Sequence, residues 1–473
     1  MKNPRIIVIG TGIGGSGAAA LLAKAGADVM VFENSGRIGG KTGAIDKDGF
    51  NVEVGAHISP RSHKGPLGDL ARAAGFPLEF YSRYPILTFF YDGKKKLIGP
   101  NLGSPMNLLR FALLFKPRGS YLGLLRFFLK MRSFKSEEDV KPLLGVPALT
   151  FIREYIKEPN LLSFMQFVAG MMFTLAPENS SAAYFLWCFA RWFEAGASGY
   201  PVGGYGIIPR SCMDICEAHG GTVHLSEGVK RIVVENGKVT GVETSQGFYP
   251  ADVVVSNAGI ARTIELAGRE HFPDTDGKNP DKLADSEGNI ILQYGLDGYK
   301  PLETPTCIYM QKDASISRLI KKMRNNEDIE DAIGVFFASP TVADPSLAPP
   351  GKHVLLAVTF APADMLDHER NQRYLDALEK KTFEVFPGME KHILWKRARE
   401  VGYFAGQAGK RISGTVGMAQ SWENDFVDRS PRQPVEGLYV AGTDTGGINI
   451  GTEAAAVSAL VTARMVLEDH PVK

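Results

Sequence analysis

Gly10, Gly12 and Gly15 make G-x-G-x-x-G where an apolar run, 6–9, gives way to a stretch of Ala and Leu, and Glu33 follows 18 residues after Gly15. Those residue types at that spacing suit a dinucleotide. The first glycine permits a tight turn, the second lets a pyrophosphate approach the backbone, and the third lets a helix pack closely on a strand. Free amides at the helix start, with the positive end of its dipole, would face the phosphates. A carboxylate at the end of the second strand can accept hydrogen bonds from a ribose. The motif alone carries little weight in a chain with 52 glycines. The strand before it, the helix after it and the acid at the right distance make the reading strong. Gly12, Gly14 and Gly17 repeat the pattern but overlap the first site, so no separate NAD(P) domain is expected.

The elements that hold these residues need a large chain. There are 473 residues, 44% apolar and 22% charged, which fits a globular protein with room for two domains. A net charge of +1 gives no nucleic-acid signature, and no nucleic-acid partner is expected. Cys212 and Cys216, four apart, read as buried helical thiols; with Cys188 and Cys307 they suggest no metal site. The first strand starts almost at once, leaving no room for a signal peptide, and this predicts a protein of the cytoplasm or its membrane face.

After Glu33 and Asn34 comes a second glycine turn with two cations, Arg37-Ile38-Gly39-Gly40-Lys41-Thr42. It resembles the FAD-binding signature of the flavin amine oxidase and carotenoid desaturase superfamily, where R-x-G-G directly follows the second strand. P-V-G-G at 201–204, a helix, a hairpin turning at Asn236-Gly237 and ADVVVSNAG at 251–259 keep the order of the carotenoid desaturase group. DPSLAPPGKH at 344–353 matches a recurrent phrase of that group, and GLYVAGTDTGGINIGTEAAA near the end reads as strand, glycine turn and helix. The resemblance, to phytoene desaturase-like flavoproteins, runs from Ile6 to Leu467. The C-terminal turn lacks the proline usual in carotenoid desaturases, so the pocket beside the flavin is expected to differ.

The resemblance implies FAD as cofactor and an α/β fold. A discontinuous Rossmann-like FAD-binding domain (1–92, 202–286 and 400–473) would carry an inserted α+β substrate domain (93–201 and 287–399). It implies that FAD meets Gly10, Gly12, Ile13, Gly14, Gly15, Glu33 and Asn34, then Arg37, Gly39, Gly40, Lys41 and Thr42 of the second turn. Gly55, Ala56 and His57 would return beside the flavin, and Val229 would meet the adenine side. Asn257 would join them at the end of a strand. Gly442, Thr443 and Asp444 fall where the family places the ribityl and pyrophosphate region. Gly451, Thr452 and Glu453 would open a helix whose dipole points at the flavin pyrimidine.

Between Asp92 and Glu137 there is no acid but ten cations: Lys94, Lys95, Lys96, Arg110, Lys116, Arg118, Arg126, Lys130, Arg132 and Lys135. Large apolar residues interleave them, and Pro117 and Gly119 split the run into two short helices. Such helices suit an anionic membrane surface and are too short to span a bilayer. Residues 159–177 are uncharged but hold Asn160, Ser163, Gln166 and Thr174, and read as a buried helix over an apolar cavity.

Together these features predict an FAD-dependent oxidoreductase at the membrane surface that removes hydride from a hydrophobic, isoprenoid-like substrate and passes electrons to a quinone, another acceptor or oxygen. The cofactor would carry that chemistry while the protein orients the substrate and excludes water. His57 is the one tentative catalytic side chain, as a proton carrier or as a structural group that orders its loop; Glu53 precedes it on the same segment. Saturase or redox-neutral isomerase chemistry on a polyene, and amine oxidation, stay open. A non-enzymatic escort role is disfavoured by the intact glycine motifs.

Overall fold

The computed structural model describes residues 3–55, 57–115, 121–273, 284–312, 314–403, 406, 414–424 and 429–472. The opening apolar run forms β1 (Arg5–Ile9), followed by α1 (Ile13–Lys24) and β2 (Asp28–Phe32). They join a five-stranded parallel sheet in the order Leu438–Val440, Val253–Ser256, β1, β2, Thr222–His224. Ile6, Ile7 and Val8 are fully buried, because helices cover one face of the sheet and a three-stranded antiparallel sheet (Arg231–Glu235, Lys238–Glu243, Phe248–Pro250) with the Ile260–Ala267 helix covers the other. The strands come from both ends and the middle of the chain, so the sheet that carries the first motif closes only when distant segments meet. On one side, α1 packs against the Ile207–Ala218 helix and the C-terminal helix, Gly451–Asp469. Its alanines allow close approach, and a Cβ on Gly17 would stand 2.8 Å from the Ala459 Cβ.

A second sheet has seven strands, in the order Ile393–Arg399, Gly288–Asp297, Lys352–Ala361, Val335–Ala338, Thr306–Met310, Leu87–Tyr91, Lys94–Ile98. All neighbours run antiparallel except Thr306–Met310 with Leu87–Tyr91. Strand alternation sends Phe336 into one core and Phe337 into another. The first core lies under the helices Pro105–Phe115, Tyr121–Ser133, Ala148–Tyr155, Pro159–Phe173 and Ala182–Ala195. The second lies under Ile316–Arg324 and His368–Val385.

Three details refine the expectations. The boundary expected at residue 92 falls inside the Leu87–Tyr91/Lys94–Ile98 hairpin, and both strands belong to the seven-stranded sheet because Leu87, Phe89 and Tyr91 fill its core. Lys94, Lys95 and Lys96 therefore lie on an edge strand and not on a helix, and Lys95 pairs with Glu303. Lys116 and Arg118 lie outside the described residues, as does Ala56. Asn236 and Gly237 take φ values of 51° and 77°, the pair of positive angles a type I′ hairpin requires. All four cysteines are buried and free. Among the described residues no helix is long and apolar enough to cross a membrane.

Candidate active site

β1 ends at a turn in which Gly12 precedes the first helical residue with no side-chain cap, so the first amides of α1 stay open to a ligand. Two close approaches explain the glycines. A Cβ on Gly15 would lie 2.1 Å from the Gly10 carbonyl oxygen, so the third glycine serves packing, and Gly15 does not line the cavity. A Cβ on Gly14 would lie 2.8 Å from Gly442 Cα and 2.8 Å from Asn257 Nδ2. The N-terminal and C-terminal turns thus touch backbone to backbone, with the Asn257 side chain wedged against both. Asn257 Nδ2 ties them by donating to the Ala441 carbonyl at 2.7 Å.

These turns edge a cavity of about 450 Å³. Gly10, Gly12, Ile13, Gly14, Glu33, Asn34, Arg37, Gly39, Gly40, Lys41 and Thr42 line it from the first two turns. Gly55, His57, Val229, Asn257, Gly442, Thr443, Asp444, Gly451 and Thr452 line it from elsewhere in the chain. Its far walls are apolar: Ile58 and Pro60, Met171 and Met172 from the Pro159–Phe173 helix, and Phe336, Val358 and Phe360 from the seven-stranded sheet. Thr11, Ser35 and the 415–417 segment also line it; sequence reasoning missed Thr11 because it fills a variable position of the first glycine motif, and the others because no motif marks them. None of Tyr184, Phe185, Trp187, Phe189, Trp192 or Phe193 does; they pack in or against the helical core.

Most charged groups here are already bonded to protein. Glu33 accepts from the Thr11 amide and hydroxyl through one oxygen (2.9 and 2.7 Å) and from the Ser35 amide and hydroxyl through the other (2.8 Å each). Arg37 Nη1 donates to the Gly40 carbonyl at 2.9 Å, shaping the turn in which Gly39 takes φ 110°. Lys41 Nζ donates to the Gly414 and Thr415 carbonyls at 2.8 and 2.9 Å, fixing the loop across the cavity. Asp444 lines the cavity, but its two oxygens accept from the Ile260 and Met418 amides at 2.9 and 3.0 Å, so it clamps three segments together.

Glu453 departs from its expected place. Its carboxylate turns away from the cavity and takes Arg61 Nε at 2.7 Å and the Arg61 amide at 3.1 Å. A carboxylate this deeply buried, 1% exposed, needs a cation more than a helix dipole can replace. Arg61 then reaches Asn449 Oδ1 at 2.7 Å, so the pair fixes the loop before the C-terminal helix.

His57 lines the cavity beside Tyr205, with ring centroids 4.9 Å apart. Its Nε2 lies 3.1 Å from the Lys41 carbonyl. A carbonyl only accepts, so Nε2 carries the hydrogen and Nδ1 keeps its lone pair. Burial holds the imidazole down at about 4, and it is neutral near pH 7. Glu53 behaves in the opposite sense. Burial lifts its carboxyl to about 7, against hydrogen bonds donated by the Tyr200 hydroxyl at 2.6 Å and the Tyr205 amide at 2.7 Å.

A pH prediction follows from Glu53. Between about 4.5 and 7 the folded state holds a proton that the unfolded chain has released, so stability falls as pH rises from about 4.5 and levels off above 7. The loss amounts to at most roughly 3 kcal/mol. Glu53→Gln should remove that slope, so that thermal unfolding of the variant gains on the wild type as pH rises from about 4.5 to 7 and keeps a constant offset above. His57 gives the opposite slope, protonation of the unfolded chain lowering stability as pH falls from 6.5 toward 4, and it does so in both proteins and cancels in the comparison. Melting curves that stay parallel from about pH 4.5 to 7 would show that Glu53 ionises normally.

Comparison with known proteins places this architecture. The model of the flavin containing amine oxidoreductase family matches residues 17–467. The chain is similar to a chloroplastic prolycopene isomerase of Daucus carota, 28% identical over 98% of this chain and 80% of that protein. It is similar to a lycopene-forming phytoene desaturase of Pseudescherichia vulneris, 24% identical over 98% of this chain and 99% of that one. Its fold is like that of an oxidoreductase from Methanosarcina mazei, with a TM-score of 0.71 at 22% identity, covering 98% of this chain and 100% of that chain. FAD is the cofactor, and the residues present fit it: the glycine turn after β1, the uncapped start of α1 and the carboxylate of Glu33 line one cavity. The chain belongs to the flavin containing amine oxidoreductase family and is a phytoene desaturase-like, FAD-dependent oxidoreductase.

Proposed function

We propose that this enzyme removes hydride from an apolar, isoprenoid-like substrate that reaches it from an anionic membrane surface, and that a quinone or another acceptor then takes the electrons. The observation that carries the reading is the chamber beside the glycine cradle. Met171, Met172, Phe336, Val358 and Phe360 wall it, and among the described residues it lacks a side chain poised for strong acid or base work. Glu33, Arg37, Lys41 and Asp444 are bonded to protein as described, Arg262 pairs with Glu265 at 2.8 Å, and His57 is a neutral, weak base. FAD supplies the acceptor for the hydride. The protein binds and orients the chain of the substrate, keeps water out, and through His57 holds the Lys41 carbonyl, and so the second glycine turn, in place.

The Pro105–Phe115 and Tyr121–Ser133 helices support the membrane part. Eight of the fourteen exposed large apolar side chains among the described residues lie on them: Met106, Leu108, Leu109, Leu113, Tyr121, Leu122, Leu125 and Leu129. Arg126, Lys130 and Arg132 are exposed among them. Apolar residues edged by cations are the composition of an interfacial helix at an anionic surface.

Similarity to prolycopene isomerase over 98% of the chain favours a second reading, in which a polyene is isomerised with no net redox change. Mixing the holoprotein anaerobically with phytoene in anionic vesicles separates the two. Bleaching of the flavin absorbance with a desaturated product is expected. A changed double-bond geometry without net bleaching would move the assignment to isomerase, and bleaching by a primary amine alone would overturn both.

A further inference from the structure

We infer that Arg262 binds the diphosphate of FAD, although it lies in no motif of the chain. The inference concerns the cofactor end of the cavity and stands whatever substrate fills the apolar chamber.

Position is the first observation. The Val253–Ser256 strand ends at Asn257, whose side chain lies against the first glycine turn: a Cβ on Gly12 would stand 2.6 Å from its Oδ1, and one on Gly14 2.8 Å from its Nδ2. The helix Ile260–Ala267 begins three residues later. It is fixed at its start, where the Ile260 amide donates to Asp444 at 2.9 Å and the Thr263 hydroxyl bonds Ser256 at 2.7 Å. Gly259, Arg262 and Leu266 line the cavity, whereas Ile260, Thr263 and Ile264 are buried and do not. Steps of three and four residues put the lining residues on one stripe of the helix, with Arg262 in the middle. One end of the stripe adjoins the glycine turn through Asn257. At the other end Leu266 and Val229 belong to one core, and Val229 is the residue expected on the adenine side. Arg262 therefore stands between the turn that faces the phosphates and the adenine side, where the diphosphate has to lie.

Charge is the second. Among the described residues three cations line the cavity: Arg37, Lys41 and Arg262. Arg37 and Lys41 brace the walls, bonding the carbonyls of Gly40, Gly414 and Thr415. Arg262 bonds an acid outside the cavity: its Nη1 donates to Glu265 Oε2 at 2.8 Å, three residues along the same helix. The two side chains are 30% and 41% exposed. An ion pair so open to water contributes little and is readily exchanged. A guanidinium fork matches phosphate oxygens with two parallel N–H···O bonds, which are shorter and stronger than neutral ones. An anionic diphosphate in the cavity would thus draw Arg262 away from Glu265.

The test titrates the full chain, freed of FAD, with FAD, ADP and adenosine by calorimetry. Arg262→Ala should weaken FAD and ADP by about tenfold or more and leave adenosine unchanged. Arg262→Lys, which keeps the charge without the fork, should fall between the two. Glu265→Gln breaks the same pair but frees the guanidinium, so FAD should bind at least as tightly as to the wild type. Added salt should weaken FAD binding more in the wild type than in Arg262→Ala, because one screened contact is gone. All three variants should melt with the wild type in the absence of FAD, since so exposed a pair stabilises the fold little. Adenosine binding then reports that the site is intact in each. Equal affinity of wild type and Arg262→Ala for FAD would overturn the inference. So would a loss in Arg262→Ala as large for adenosine as for ADP, or a loss of FAD affinity in Glu265→Gln to match that of the alanine variant; the last would leave the pair a structural one.

Discussion

Glu33→Ala is expected to raise the dissociation constant for FAD by about 100- to 10,000-fold. Two ribose hydroxyls would each lose a bond to a charged acceptor, worth roughly 1.5–3 kcal/mol apiece. The geometry shows how the site makes room for them. Four donors surround the carboxylate: the amides of Thr11 and Ser35 and their hydroxyls. The amides are fixed by the backbone and aim the carboxylate. The hydroxyls rotate, and hold the positions that ribose hydroxyls would take. Alanine also leaves the Thr11 and Ser35 amides without their acceptor, so the turn itself loosens. Titration of the apoprotein with FAD, followed by flavin fluorescence, measures the effect, and Glu33→Gln should fall between the two. An unchanged constant in the alanine variant would place the ribose elsewhere.

Reversing Arg126, Lys130 and Arg132 to Glu together should weaken binding to anionic vesicles by at least about 100-fold. Each cation near such a surface contributes about 1 kcal/mol, so removing three costs roughly 3 kcal/mol before the repulsion of three new acids is counted. The substituted side chains are exposed on the Tyr121–Ser133 helix, whereas Phe127 and Met131 anchor the helix to the core. The fold and bound FAD should therefore survive. Leu122, Leu125 and Leu129, each at least 55% exposed, provide the apolar contact. Phe128 is half-buried with its ring 5.3 Å from Phe193, because it lies on the flank of the helix that meets the Ala182–Ala195 helix. Co-sedimentation with vesicles of graded anionic content checks the effect. Equal retention of wild type and variant, or retention insensitive to lipid charge, would leave the two helices as a structural lid.

The amino-acid sequence by itself determined the local chemistry. Gly10 takes φ 91° and a Cβ on Gly15 would strike the Gly10 carbonyl oxygen, so short-range sterics fix that turn between an apolar strand and an Ala-rich helix, whereas Gly12 and Gly14 answer to Asn257 and Gly442 far along the chain. The Asn236-Gly237 hairpin and the split helices of the cationic run follow from equally local rules of turn geometry and periodicity. Side-chain direction and long-range contact were decided only by the tertiary structure. Asp444 and Glu453 both read as acids facing the cofactor. Asp444 ended on two backbone amides, and Glu453 on Arg61, 392 residues away in sequence. Burial made the difference, because a carboxylate withdrawn from water takes whatever donors the packed chain offers, and no spacing rule names them. The same holds for the chamber. Met171, Thr174, Asn289 and Phe360 share a wall only because an uncharged helix packs on one face of a seven-stranded sheet, and long-range packing of this kind leaves no periodic mark on the sequence.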